Sequence, residues 1–387
     1  MKSISVLLLF LSLGISIFAG SRILQRRMAC QTENRANLDS LKTKGQNVRL
    51  VFWNVENLYD PYDDSTKLDD EFTPDGAKHW NYNKFKTKLN HLSKTILAIG
   101  GWEAPAIVGM CEIENRYVLN KLIYETPLRN WKYKCIHHES PDRRGVDVAI
   151  LYRPSIFKPF NSQSIMIRFP FDTLVETREI LMVQGVLPGH DTLTLFVNHW
   201  PSKLGGALKS QPRRNYVASR LRLLIDSLQN FTHVPIPGQA RNGQISGIPP
   251  SAINSNCRMT NIIVMGDFND EPYSESLLEI LKARSDTVMA NLCDLVNLMA
   301  PKTGKAGTHK FRGQWSILDQ FIVSKTLFGG KMGLKADFQD IGVFKAPFLL
   351  MEDPTFFGEK PNRTYNGPRY LGGYSDHLPI YMDIHNN

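Results

Sequence analysis

The chain has 387 residues, 42% of them apolar, 10% aromatic and 21% charged, a composition that excludes a collagen-like, coiled-coil or wholly disordered protein. The net charge is +9, but residues 1–30 contribute Lys2, Arg22, Arg26 and Arg27 and no acid, which leaves a surplus of +5 in the remainder. Such a surplus is compatible with a polyanionic partner without demanding one.

The first predicted element is a targeting segment. Lys2 precedes an uncharged apolar run from Ile4 to Ala19, and the small residues Ala19, Gly20 and Ser21 close it. This is the layout of a signal peptide over residues 1–21. At ~1.5 Å per residue the run is short for a hydrocarbon core of ~30 Å. Export to a periplasm or beyond the cell is therefore expected, with an uncleaved membrane anchor as the alternative. Arg22, Arg26 and Arg27 directly after the run oppose translocation. Arg27 and Met28 stand before Cys30 where a lipidation signal wants small and aliphatic residues. Residues 22–44 read as a linker and 45–387 as one domain.

Within that domain short apolar runs recur: Val48–Asn54, Ala106–Cys111, Val146–Tyr152, Leu193–His199, Asn261–Gly266, Ile317–Val323 and His377–Met382. Most are bounded by Gly, Pro, Asn or Asp, as strand ends are. Between them Phe85, Leu89, Leu92, Ile96 and Ile99 step by four and three, the apolar stripe of a helix. Val217, Leu221, Leu224, Ile225 and Leu228 form a second stripe, with Arg213, Arg214, Arg220 and Arg222 expected on its polar face. Residues 230–260, rich in Pro and Gly and without period, read as an exposed insertion loop. Residues 351–374, rich in Gly, Pro and aromatics, read as a loop on the surface or bordering the substrate. Interleaved strands and helices predict an α/β domain. The five cysteines include no C-x-x-C pair, and Cys111, inside an apolar strand, is expected to be a buried free thiol.

The polar residues gather at strand ends. The first strand ends in Asn54-Val55-Glu56-Asn57, the second stops at Glu112, and a later one ends Asn198-His199. Asp267-Phe268-Asn269-Asp270 follows Gly266, Asp319 follows Leu318, and Ser375-Asp376-His377 opens the last strand. Any one of these alone is commonly a turn former or helix cap. Six together supply hard oxygen donors and two histidines. Carboxylate and amide oxygens without thiolates suit Mg²⁺, Mn²⁺ or Ca²⁺, and the inventory predicts metal-assisted phosphoester hydrolysis.

Asn54, Glu112, Asn198-His199, Gly266-Asp267-Phe268-Asn269, Leu318-Asp319 and Ser375-Asp376-His377 stand in the order of the endonuclease/exonuclease/phosphatase superfamily. The chain resembles that family over essentially everything after residue 45. The resemblance implies a four-layer sandwich, two mixed β-sheets face to face with helices outside, of the DNase I-like kind. It implies that Glu112 binds the metal, with Asn54 and Asp376 as further oxygen ligands or supports. Asp267 would orient the attacking water and bind the metal, and Asn269 would hold a phosphate oxygen or the metal. His377 would pair with Asp319, while His199 would face the phosphate from the other side. Asp147 is expected to support the site by binding His199, and Arg144 either reaches the phosphate or lies in a solvated turn. A nuclease acting on DNA or RNA is the favoured reading. Arg213, Arg214 and Lys209 would meet phosphates, and Trp200 and Tyr374 are stacking candidates whose bland use is core packing. The alternative is a phosphatase or sphingomyelinase-like phospholipase for small or lipid phosphoesters. Phe348-Leu349-Leu350-Met351 and Phe356-Phe357 would then be exposed for docking. A non-catalytic module is a third class that the full set of ligands disfavours. No obligate protein partner is evident.

Overall fold

The structure is a computed structural model that describes residues 47–187, 189, 192–229, 260–285 and 293–386. The expected signal peptide, the linker and nearly all of the 230–260 loop lie outside these residues.

One seven-stranded sheet runs in the order β14 (Leu334–Lys335), β20 (Ile380–Asn386), β1 (Val48–Leu58), β2 (Ile107–Ile113), β4 (Asp147–Tyr152) and β3 (Lys134–His137), with β15 (Ile341–Val343) also paired to β20. The second seven-stranded sheet runs β5 (Lys158–Ile165), β6 (Ile180–Val186), β7 (Thr192–His199), β8 (Ile262–Asp267), β13 (Asp319–Ser324), β10 (Leu295–Asn297) and β9 (Ala283–Arg284). Both are mixed: β1 is parallel to β2 and β7 to β8, while β20 and β13 run antiparallel to their neighbours. Three hairpins complete the strands: β11 (His309–Phe311) with β12 (Gln314–Ser316), β16 (Leu350–Glu352) with β17 (Glu359–Pro361), and β18 (Tyr365–Asn366) with β19 (Arg369–Tyr370). The last of these lies inside the expected 351–374 loop, and the one before it starts a residue earlier, at Leu350. The helices are α1 (Tyr82–Gly100), α2 (Arg116–Tyr124), α3 (Ala207–Gln229) and the single turn α4 (Lys325–Phe328).

Strand alternation builds the layers. Leu50, Phe52, Ile107 and Ile150 point one way and meet Val183, Leu195, Ile263, Met265 and Phe321 of the other sheet in a shared core. The opposite face of the first sheet, Val51, Trp53, Val108 and Met110, packs on the α1 stripe Phe85, Leu89, Leu92 and Ile96. Phe196, Ile262, Val264 and Ile322 of the second sheet pack on Val217, Ala218, Leu221 and Ile225 of α3. Period 2 in the strands and 3.6 in the helices thus give helix, sheet, sheet and helix. Asn81 starts α1 by accepting from the Lys84 amide, and Gly101, at φ 69°, ends it.

The arginine face of α3 differs from expectation. Arg214 and Arg222 are buried: Arg214 Nε lies 2.7 Å from Asp270, and Arg222 bonds Asp226, the Leu281 carbonyl and Gln229. Arg214 stands four and seven residues before Ala218 and Leu221, on the buried stripe itself. A charge is tolerated there because an acid meets it. Cys111 is a buried free thiol, as expected, and Cys135 is also free.

Candidate metal and phosphoester site

The site forms where the two sheets bring their strand ends together. In the second sheet His199, Asp267 and Asp319 close three adjacent strands in register, β7 with β8 and β8 with β13. In the first sheet Asn54 pairs with Cys111, and the ladder then slips on both sides. Glu112 sits in that slip with φ 64°, followed across β1 by Glu56 at 52° and Asn57 at 51°. These positive φ values, unusual for non-glycine residues, mark a bulge that re-aims side chains next to the cluster. The bulge lets the Asn57 amide donate to Glu112 Oε2 at 2.8 Å.

Asn54 joins the two principal carboxylates. Its amide nitrogen lies 3.3 Å from Glu112 Oε1 and 3.1 Å from Asp267 Oδ2. His199 Nε2 stands 3.8 Å from both of those oxygens, and His377 Nε2 stands 3.8 Å from Asp267 Oδ2. His377 Nδ1 meets Asp319 Oδ2 at 2.7 Å, and Ser375 Oγ, donating to the Asn54 carbonyl, accepts from the His377 amide. Asp267, Asp319 and His377 form a group compact enough to hold an ion. Asn269, at φ 50°, gives its amide to Asp267 Oδ1 and its side-chain nitrogen to the Trp200 carbonyl.

Electrostatics give these groups different protonation states. Burial alone would discharge His377, but Asp319, Asp267 and the Asp319 hydrogen bond outweigh it, so its pKa lies well above the ordinary value. Burial, with Arg178, Arg144 and His377 adding to it, drives His199 well below its ordinary value. Burial lifts Asp267 to about 6, against the pull of His377. The site therefore holds one charged and one neutral imidazole across two carboxylates.

The donor set fits a divalent cation. Glu112 and Asp267 are two carboxylates of like charge sharing one amide, offering hard oxygens and no thiolate, as Mg²⁺ and Mn²⁺ prefer. Asp319 Oδ1 and His199 Nδ1 are buried atoms with no hydrogen-bond partner among the described residues.

Most expected residues meet here: Asn54, Glu112, His199, Asp267, Asn269, Asp319 and His377. Asp376 lies at the rim, 3.1 Å from Arg363. Asp147 requires a correction. It does not reach His199: its Oδ2 meets His137 Nε2 at 2.9 Å and its Oδ1 accepts the Ser140 amide. The register that pairs Asp147 with Ile113 turns it toward β3, whose partner histidine removes the burial cost. Asn198 is internal, bonded to the Met265 carbonyl and the Trp200 indole. Arg178 is a neighbour that the sequence reading omitted. It is buried, 3.3 Å from Asp142 and 2.7 Å from the Trp200 carbonyl, and its charge helps hold the His199 pKa down. Its signal was a lone arginine in Thr177-Arg178-Glu179 directly before an apolar strand.

Residues 26–234 and 248–386 match the Endonuclease/Exonuclease/phosphatase family. The chain belongs to that family. Its members are hydrolases of phosphoesters that depend on divalent metals, and Asp267, Asp319 and His377 are one group among the described residues that could hold one, His137, Glu139 and Asp147 being another. No curated protein matches the chain. Among solved structures it is similar to the human Nocturnin catalytic domain with bound sulfate anion, at 15% identity over 88% of this chain and 95% of that one, TM-score 0.50. A mannosyl-6-phosphatase of Bacteroides thetaiotaomicron is 14% identical over 87% and 99% of the two chains, TM-score 0.49. Humanized D. rerio TDP2 is 14% identical over 88% and 99%, TM-score 0.48. At these identities the likeness is one of fold.

Proposed function

We propose that the protein hydrolyses phosphoesters of small molecules with Mg²⁺, or Mn²⁺, held by Glu112 and Asp267 with Asn54 in support. The observation that carries this reading is the convergence of Asn54, Glu112, His199, Asp267, Asp319 and His377 from both sheets on one point. The ion supplies Lewis-acid polarisation of the phosphoryl oxygen. Asp267 is ionised at neutral pH, accepts the proton of the attacking water and is oriented by the Asn269 amide. His377, held in place by Asp319, presents a charged N–H to a phosphate oxygen. His199, neutral, donates a hydrogen bond from the opposite side as charge develops.

The small-molecule reading is favoured over nucleic acid because most of the groups assigned to a polyanion already have partners, the exposed Lys209 being the exception. Arg213 pairs with Asp172 and Arg214 with Asp270. Trp200 packs edge-on against Phe268, and Tyr374 stacks on His91 inside the core. One observation favours a lipid ester as second reading: Phe356 and Phe357 are exposed between β16 and β17, although Leu349 of the same segment is buried. Residues 1–21 extend the proposal to an exported enzyme.

Purified protein assayed with Mg²⁺ and with chelator on small phosphomonoesters, sphingomyelin, plasmid DNA and RNA tests this. Chelator-sensitive release of phosphate from the small esters is expected. Plasmid nicking without it would return the nuclease reading.

A further inference from the structure

The proposed reaction needs the His377 imidazole in one orientation, with Nε2 toward Asp267 and the phosphate oxygen. Its backbone is fixed: the Trp53 indole donates to the His377 carbonyl at 2.9 Å, and Ser375 Oγ accepts the His377 amide at 3.0 Å. The ring itself makes one hydrogen bond among the described residues, from Nδ1 to Asp319 Oδ2 at 2.7 Å. A single bond pins one edge and leaves the ring able to tilt about it. A contact on the face of the ring is what stops that tilt.

His309 makes that contact. Its ring centroid lies 4.7 Å from that of His377, with the two planes 40° apart. The backbone is built for this approach. His309 opens β11 and faces His377 across an antiparallel bridge. Directly before it, the Thr308 carbonyl accepts the Leu378 amide at 2.7 Å, and Thr308 Oγ1 accepts the amides of Leu318 and Asp319 at 3.1 and 3.2 Å. Thr308 is fully buried, so it fastens His309 to both sides of the His377–Asp319 pair. The half-buried His309 ring makes no hydrogen bond or ion pair of its own among the described residues, and its contact with the protein is through its face. Burial and the nearby charge of His377 lower its pKa to about 4, so a neutral ring lies against a charged one. A cation beside a neutral π-face is attracted to it rather than repelled.

We propose that His309 is a positioning residue whose ring bears on the face of His377 and, with Asp319 at the edge, keeps Nε2 aimed at the phosphate. The inference rests on the phosphoesterase reading and adds a residue to it. Its test measures kcat and KM for 4-nitrophenyl phosphate with Mg²⁺ in the wild type, His309→Ala and His309→Phe. Loss of the ring should lower kcat about ten- to a hundredfold and leave KM within about threefold, because a misaimed group costs rate more than binding. His309→Phe restores a face without the nitrogens and should recover most of the lost kcat. A role in folding alone would move the thermal midpoint and leave kcat per folded molecule unchanged. If His309→Ala does not fold, His309→Gln, which also lacks the ring, takes its place. Wild-type kcat in the ringless variant, or an equal loss in His309→Phe, would overturn the proposal, the latter by showing that the nitrogens matter. Proton NMR of the Nδ1–H shared by His377 and Asp319 reads the ring without turnover. Its resonance should be sharp in the wild type and in His309→Phe and broadened by exchange with water in the ringless variant. The same behaviour in all three would overturn the proposal. The expected pattern in a protein that hydrolyses no phosphoester would instead overturn the reaction and leave the contact.

Discussion

Asp267 is buried, accepts from Asn54 and the Asn269 amide, and has a histidine 3.8 Å away on each side. Asp267→Asn keeps its shape and removes the proton acceptor and a metal oxygen, so kcat should fall by about 10²–10⁴. Burial raises this carboxyl's pKa, so loss of the charge removes a folding cost, and the thermal midpoint should hold or rise. Phosphate release and a melting curve on one preparation check both; near-wild-type turnover would end the site assignment. Glu114 makes a separate case. It is buried, and desolvation pushes its carboxyl from 4.5 to about 9. A folded-state pKa above the unfolded one means the ionised form costs stability once pH rises above the unfolded value, until the folded pKa is passed. Glu114→Gln should therefore be more stable than wild type at pH 8, by an order of a few kcal/mol, with the gap closing toward pH 4.5. Urea denaturation at the two pH values measures it. At this scale the sequence showed which residue types were available, since carboxylates at strand ends are visible in a linear reading. Partners were not: Asp147 is satisfied by His137, ten residues earlier on a neighbouring strand, which only register reveals.

The strands and helices were legible because burial on one face imposes a period. The α1 stripe Phe85, Leu89, Leu92, Ile96 and Ile99 is buried at every position. The bulge at Glu112 was not, because one inserted residue breaks a period of two without changing composition. Nor was the burial of Arg214, which sequence patterning assigns to solvent until Asp270 is seen beside it. Close approach of β7 and β8 sets a demand on Gly266. A Cβ there would stand 2.5 Å from the Asn198 carbonyl oxygen and 2.7 Å from Asn198 Cβ. Backbone on one strand cannot yield without moving the other, so Gly266→Ala should cost at least about 1–3 kcal/mol. It should also reduce turnover in the surviving folded protein, because His199 and Asp267 end the same two strands. A denaturation midpoint and activity both equal to wild type would refute that coupling.

In the whole molecule the reaction class was readable and the substrate was not. Class follows from residues that end core strands, whereas the segments around residues 72–80 and 363–367 beside them carry no hydrophobic period to constrain the chain. The same architecture makes the cluster a clasp. Asn54 and Glu112 belong to one sheet and Asp267 to the other, so an ion between them would add to the apolar core and the Asn54–Asp267 hydrogen bond that already join the two layers. The buried Asp267 and the half-buried Glu112, two carboxylates sharing one amide, repel each other, and a divalent cation would convert that repulsion into attraction. A ligand that binds only the folded state adds about 2.7 kcal/mol at a hundredfold excess over Kd. At roughly 2–4 °C per kcal/mol for domains a little smaller than this one, Mg²⁺ at millimolar concentration should raise the thermal midpoint by several degrees over EDTA. The rise should vanish in Asp267→Asn and in Glu112→Gln, whereas Glu114→Gln, outside the cluster, should keep it. A metal-dependent shift of equal size in all three variants would place the ion elsewhere and dissolve the clasp.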